Sequence, residues 1–352
     1  MSGMRSTVAL AALLAGGLLV SVAASAQTPP AATEVRIQGA GATFPQPLYT
    51  RWFADYQSAH PQVRIEYRAV GSGEGVKGFL AGTLDFGASD AALGDDELRR
   101  VDPARGAVML PMTAGMVVLA YNVPGIGQGL ALTREAYAGI FSGRISRWND
   151  PRIAAANPGL ALPDKTIVRV VRRDSSGTTY IFTNHLAAVD PTWATAGPGV
   201  GKLIDWPDNA MTARGNEGVA QRVQMTEGAI GYMEYAFAKR LELPIARLQN
   251  KSGAMLMPSP DVGRAALAAV TAIPADLRVF VPDPDGADAY PILGYTWILL
   301  HRHQTTPGLA RTLRDLFQWG LGQGQSIAAA MGYVPLPETM RQKALESLSA
   351  LD

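Results

Sequence analysis

Short apolar strands alternate with amphipathic helices along almost the whole of this 352-residue chain, and that alternation limits the fold to layered α/β architectures. Val35–Ile37, Val63–Tyr67, Met116–Tyr121, Ile167–Val171 and Tyr295–Leu300 read as strands. Helices are predicted near 47–58, 75–82, 132–141, 178–188, 216–226, 261–271 and 307–320, with no internal repeat and no long low-complexity tract. Two proline-marked stretches, Leu110–Thr113 and Met257–Pro260, are candidate crossings between two halves.

The N-terminus reads as an address. Arg5 precedes an apolar stretch, Val8 to Val22, which ends in Ala24-Ser25-Ala26. That is the pattern of a secretory signal cleaved after Ala26, with residues 27–33 as a flexible mature N-terminus. The chain has no cysteine, hence no disulfide framework and no cysteine for a lipid anchor. A freely diffusing periplasmic protein is expected. With Arg5 removed, 31 basic residues become 30 against 30 acidic, which argues against a nucleic-acid partner. Any anion specificity must therefore be built locally.

Three loop-to-helix junctions carry small hydroxyl residues beside glycine. In Arg172-Arg173-Asp174-Ser175-Ser176-Gly177-Thr178-Thr179, apolar helical spacing follows from Tyr180 onward, so Ser176 to Thr179 are expected to form an exposed first turn. First-turn amides lack carbonyl partners within the helix, and the peptide dipoles add partial positive charge, so an anion satisfies both. A hydroxyl and a forked guanidinium beside them suit a tetrahedral oxyanion. An N-capped helix with a surface ion pair is the plainer alternative. Gly39–Pro47 is a small-residue loop leading into a helix, with Pro47 in its first turn. Gly71-Ser72-Gly73-Glu74-Gly75 precedes a third helix, with Ser72 placed as its N-cap. Whether the three junctions meet is not legible from spacing.

The segment Asp85–Asp90 reads as a buried strand ending in Ser89-Asp90, where ligands of open α/β sheets sit. Capping a helix near Asp95 or closing a turn is the plainer role for Asp90. A carboxylate in an anion site makes sense if the anion carries a proton, because an ionised carboxylate only accepts. Phosphate keeps an O–H near neutral pH and sulfate does not, so Asp90 would select by repulsion. No nucleophile-and-base constellation, Walker A loop or metal-ligand cluster is visible. Gly73-x-Gly75-x-x-Gly78 is a weak dinucleotide match, and His301/His303 reads as a satisfied or solvent-facing pair.

Together, Gly39–Tyr49 (GAGATFPQPLY), Gly71–Asp90, Gly143–Asp150 (GRISRWND), Val170–Thr183 (VVRRDSSGTTYIFT) and Gly228–Tyr235 (GAIGYMEY) resemble the periplasmic phosphate-binding proteins of the phosphate-specific ABC transport system. The resemblance implies an α/β, two-lobed type-II periplasmic binding protein, each lobe a mixed sheet flanked by helices, with the ligand in the interlobe cleft. Lobe I would comprise 27–110 plus 258–352, and lobe II 111–257. The family's phosphate ligands fall on Thr43, Phe44, Ser72, Asp90, Arg172, Ser176, Gly177 and Thr178, with Asp174 orienting Arg172. The resemblance further implies a monomer without cofactor or metal that serves a membrane permease and its ATPase. Departures are Ala92, where the family often has proline, and Glu74, which would weaken anion binding if it pointed inward. A receptor for sulfate, molybdate or a phosphonate is the first alternative. A secreted phosphatase using Ser175 or Ser176 is the second.

Overall fold

In the computed structural model, residues 34–207 and 210–352 are described; the predicted signal segment 1–26 and the tail 27–33 lie outside them. The strands are β1 (Val35–Gly41), β2 (Val63–Ala69), β3 (Phe86–Ser89), β4 (Val108–Asn122), β5 (Ala131–Leu132), β6 (Val168–Arg172), β7 (Met211–Ala213), β8 (Ala229–Glu234), β9 (Arg247–Gln249), β10 (Met255–Leu256) and β11 (Leu293–Leu300). The helices are α1 (Gln46–Ala59), α2 (Ser72–Leu80), α3 (Asp95–Leu98), α4 (Arg134–Phe141), α5 (Pro151–Ala154), α6 (Gly177–Val189), α7 (Pro191–Thr195), α8 (Gly215–Met225), α9 (Tyr235–Arg240), α10 (Pro260–Ala268), α11 (Leu309–Leu321), α12 (Gly324–Ala330) and α13 (Glu338–Ser349).

Eight strands form one sheet in the order β2-β1-β3-β11-β4-β8-β6-β7, and β10-β9-β5 form a small second sheet. β1 pairs in parallel with β2 and β3, and β6 pairs in parallel with β7 and β8. The two parallel groups are joined by antiparallel pairings through β11 and β4. All eight residues of β11 and all six of β8 are buried, which explains their mostly apolar character, broken by Thr296 in β11 and Glu234 at the end of β8. Helix α2 packs on β1 and β3, α8 on β8, β6 and β4, and α13 on β4.

β4 differs from the sequence expectation. It starts at Val108 rather than Met116, so Leu110–Thr113 is strand. Proline has no N–H for the ladder and is tolerated in a strand at a bulge. Here Pro111 faces Trp297 beside a register shift, and the carbonyl of the extra residue, Met112, accepts from Gln325 Nε2 at 2.9 Å. The second proline-marked stretch opens a helix: Ser259 caps α10, with Pro260 in its first turn.

The same geometry ends three strands at one place. β1, β3 and β6 each run into a loop that opens onto the sheet's carboxyl edge, and the loops after β1 and β6 feed the N-termini of α1 and α6. The glycine-flanked N-terminus of α2 meets them there.

Candidate functional site

The acidic centre is Asp90, one residue past β3 and 2% exposed. Its Oδ1 accepts from Thr296 Oγ1 on β11 at 2.8 Å, while Oδ2 has only a long contact of 3.5 Å with Ser72 Oγ. Burial pushes its carboxyl up to about 7, against the opposing pull of the Thr296 bond, the Arg172 charge and Ser72. Asp90 therefore caps no helix; its neighbours are hydroxyls and a guanidinium.

Ser72 is the first residue of α2, not its cap as expected. Gly71 occupies the cap position at φ +104°, a conformation that glycine adopts without strain, and this frees the serine side chain. Ser72 Oγ accepts from the amides of Gly177 (3.0 Å) and Asp90 (3.2 Å). Glu74, one turn along, is exposed and lies 3.9 Å from Lys77, so it points away from the site.

The loop between β6 and α6 supplies the cationic side. Arg172 is buried at the end of β6, with Nε and Nη2 forked onto both oxygens of Asp174 at 2.8 and 2.5 Å. Its Nη1 lies 3.5 Å from Thr178 Oγ1. Burial would raise the Asp174 carboxyl, but the Arg172 fork and the Gly215 amide outweigh it and hold the group below its usual range. Arg173, by contrast, is exposed. Ser176 Oγ caps α6 by accepting from Thr179 N at 3.1 Å.

The first turn of α6 is not exposed as the apolar spacing suggested. Ser176, Thr178 and Thr179 are at most 1% exposed: Asp90 and Ser72 close on Gly177, Asn216 holds Thr178, and Tyr232 holds Thr179. The approach is close enough that a Cβ on Gly177 would sit 2.6 Å from that of Asp90. Apolar periodicity registers only the core-facing side of a helix, and a polar contact on its other side leaves no such trace.

Thr43 and Phe44 lie in the loop entering α1 and are both buried. The carbonyl of Phe44 accepts from Tyr333 Oη at 2.8 Å. Thr43 Oγ1 accepts from the backbone N (3.1 Å) and the Nδ2 (2.9 Å) of Asn216, whose Nδ2 also donates to Thr178 Oγ1 at 3.1 Å. The nine predicted positions are thus joined by direct contacts, through Asn216, or as chain neighbours, and the three junctions converge. The set offers hydroxyls, helix-terminal amides and one guanidinium, with Asp90 as the carboxylate that is free of an arginine fork. That inventory suits a compact oxyanion bearing one proton.

Asn216 and Thr296 escaped the sequence reading. Gly215-Asn216-Glu217-Gly218 opens α8 with the same signal as the other junctions, glycine beside a small polar residue, and counting it would have found Asn216. Thr296 gave no signal, being one hydroxyl inside an apolar strand. The rival nucleophiles are otherwise engaged: Ser176 caps α6, and Ser175 packs against Gly73. His301 is bonded to the carbonyl of Phe79 at 3.0 Å, and exposed His303 pairs with Asp352 at 2.5 Å.

Residues 24–322 match the model of the PBP superfamily domain. The chain is 39% identical over 309 residues to the phosphate-binding protein PstS of Pasteurella multocida, covering 87% of this chain and 88% of that one. It is 38% identical over 326 residues to the protein of the same name in Xylella fastidiosa, covering 91% and 88%. Among solved structures, a high-affinity periplasmic phosphate-binding protein with bound phosphate superposes with a TM-score of 0.74 at 26% identity, covering 88% of this chain and 92% of that one. A human phosphate-binding apolipoprotein gives 0.72 at 25% identity, covering 87% and 92%. These likenesses agree with the two-lobed α/β architecture expected from the sequence.

Proposed function

The chain belongs to the PstS-type phosphate-binding proteins of the PBP superfamily, and from that membership we propose that it captures inorganic phosphate and delivers it to an ABC-type permease and its ATPase. The observation that carries this reading is the buried carboxyl of Asp90, set among hydroxyls, helix-terminal amides and the Arg172 guanidinium. Thr43, Phe44, Ser72, Arg172, Ser176, Gly177 and Thr178 supply the donors, and Asp174 holds the guanidinium fork. Asp90 accepts the proton that phosphate keeps. Sulfate offers no such proton and meets a carboxylate.

We read the protein as a receptor rather than an enzyme: its relatives are phosphate-binding proteins, and the Ser176 hydroxyl serves as the cap of α6. We place it in the periplasm as a monomer. No helix among the described residues is long and apolar enough to cross a membrane, which is consistent with that placement.

In this reading lobe I comprises 27–110 plus 258–352 and lobe II comprises 111–257, with the first crossing inside β4. The pairing partner of β4 changes a few residues past that boundary, from β11 at Met116 to β8 at Val117. Hinge closure across this crossing brings Thr43, Ser72 and Asp90 onto Arg172 and the first turn of α6. Calorimetric titration of the mature protein, stripped of ligand by unfolding and refolding, tests the reading. One-to-one phosphate binding without sulfate heat is expected. Equal binding of both anions would remove the role given to Asp90, and binding of neither would remove the function.

A further inference from the structure

Asn216 is fully buried at the start of α8, and all of its polar groups are engaged at the site. Its Oδ1 accepts from the amide of Glu234 at 2.9 Å, which settles the orientation of the side-chain amide, since the reverse would set N–H against N–H. The two Nδ2 hydrogens then go to Thr43 Oγ1 (2.9 Å) and Thr178 Oγ1 (3.1 Å), and the Asn216 backbone N–H is a second donor to Thr43 Oγ1 (3.1 Å).

A hydroxyl has one hydrogen and two lone pairs. Both lone pairs of Thr43 are taken by Asn216. One lone pair of Thr178 is taken by Asn216, and Arg172 Nη1 lies 3.5 Å from the same oxygen. Thr43 keeps only its hydrogen to offer, and Thr178 is turned the same way by the Asn216 bond and the nearby guanidinium. Ser72 is treated alike, with the Gly177 and Asp90 amides on its oxygen.

We propose that Asn216 is a positioning residue that fixes the polarity of the site: it makes the hydroxyl of Thr43 a one-way donor, turns that of Thr178 toward donation, and leaves Asp90 as the acceptor for a protonated anion oxygen. This deepens the phosphate reading above and rests on it. An anion with one proton is then held in one rotational setting, with its O–H at Asp90 and its bare oxygens at the threonines. Asn216 touches the anion only through those threonines.

A double-mutant cycle tests this, with phosphate titrated into wild type, Asn216→Ala, Thr43→Val and the double variant. Asn216→Ala alone is expected to weaken phosphate binding about tenfold, the range of one or two hydrogen bonds. In the Thr43→Val background the same change should cost severalfold less, because half of what Asn216 controls has gone. A purely structural role for Asn216 predicts the same factor in both backgrounds, and equal factors overturn the proposal. So does wild-type affinity in Asn216→Ala. If Asn216→Ala fails to fold, the cycle is run with Asn216→Asp, which keeps an acceptor for the Glu234 amide. Its added charge is present in both backgrounds and cancels. A wild-type protein that binds no phosphate would sink the function proposed above, whereas phosphate binding with equal factors would sink only this inference.

Discussion

Two buried polar centres flank α6, and they handle their hydrogen bonds in opposite ways. Near its C-terminal end, His185 donates from Nδ1 to the carbonyl of Pro282 (2.6 Å) and accepts from Tyr137 Oη at Nε2 (2.9 Å). Close by, Arg134 forks onto Asp283 with both bonds at 2.8 Å. Donors and acceptors match there, and the cluster is complete in itself. At the N-terminal end, donors exceed acceptors: hydroxyls with occupied lone pairs, helix-terminal amides and Arg172 face Asp90, while the other carboxylate of the predicted set, Asp174, is spent on the Arg172 fork. A matched cluster stabilises the fold, and a surplus of donors is what an anion requires. Burial alone does not separate the two; hydrogen counting does.

That comparison is broken most sharply at Arg172. Arg172→Ala removes the charged donor and strands Asp174, so phosphate binding should weaken by about 3–5 kcal/mol. Arg173→Ala, on the exposed neighbour, should leave it within a few tenths of a kcal/mol in the same calorimetric titration. A reversed order would mean that the guanidinium belongs to the other residue.

The next largest effect lies in the matched cluster. Burial holds His185 down to about 4 from an ordinary 6.5. Between those values the unfolded chain binds a proton that the folded protein refuses, so stability is intact above pH 6.5 and lost as pH falls toward 4. The loss from this group is of order 3 kcal/mol. Denaturant melts should show that acid slope flattening in His185→Gln, with phosphate affinity unchanged at neutral pH. An unaltered slope would refute the assignment.

Asp90 provides the most discriminating test. Its carboxyl is raised from 3.8 to about 7, so the ligand-free folded protein keeps a proton that the unfolded chain has lost. Stability from this group therefore falls as pH rises through that window, opposite in sign to His185. Asp90→Asn should remove that slope. It should also shrink the preference for phosphate over sulfate by about 1–3 kcal/mol, the cost of an unpaired buried polar group. Unchanged selectivity in competition titrations would rule out repulsion as its source.

The ends of strands and the starts of helices were legible because they are written locally. Glycine beside Ser or Thr marked the junctions at Thr43, Ser72 and Ser176, and the alternation of elements gave the α/β class. Distances through space were not. Ser72 was read as a cap because local chemistry favours serine there, yet Gly71 takes that position and the serine reaches Gly177, 105 residues away. The strand β4 was shortened in the reading because Pro111 looks like a break, and only pairing with β11 shows the bulge that accommodates it. α13 and α12 left no pattern that was read, since their apolar faces are interrupted by small and polar residues.

The strand β11 sets an order of events on the making of this protein. It sits between β3 and β4 in the sheet, although roughly 170 to 210 residues separate it from them along the chain. Until an emerging chain has passed Thr296, β3 has β1 but lacks its β11 neighbour, and Asp90 lacks its 2.8 Å partner. The early segments can collapse, but the sheet cannot close around them, and loop closure over that distance is slow. The anion site is thus among the last features to be completed as the chain emerges. A chain cut short before residue 293 would carry every proposed ligand and still have no finished place to put them.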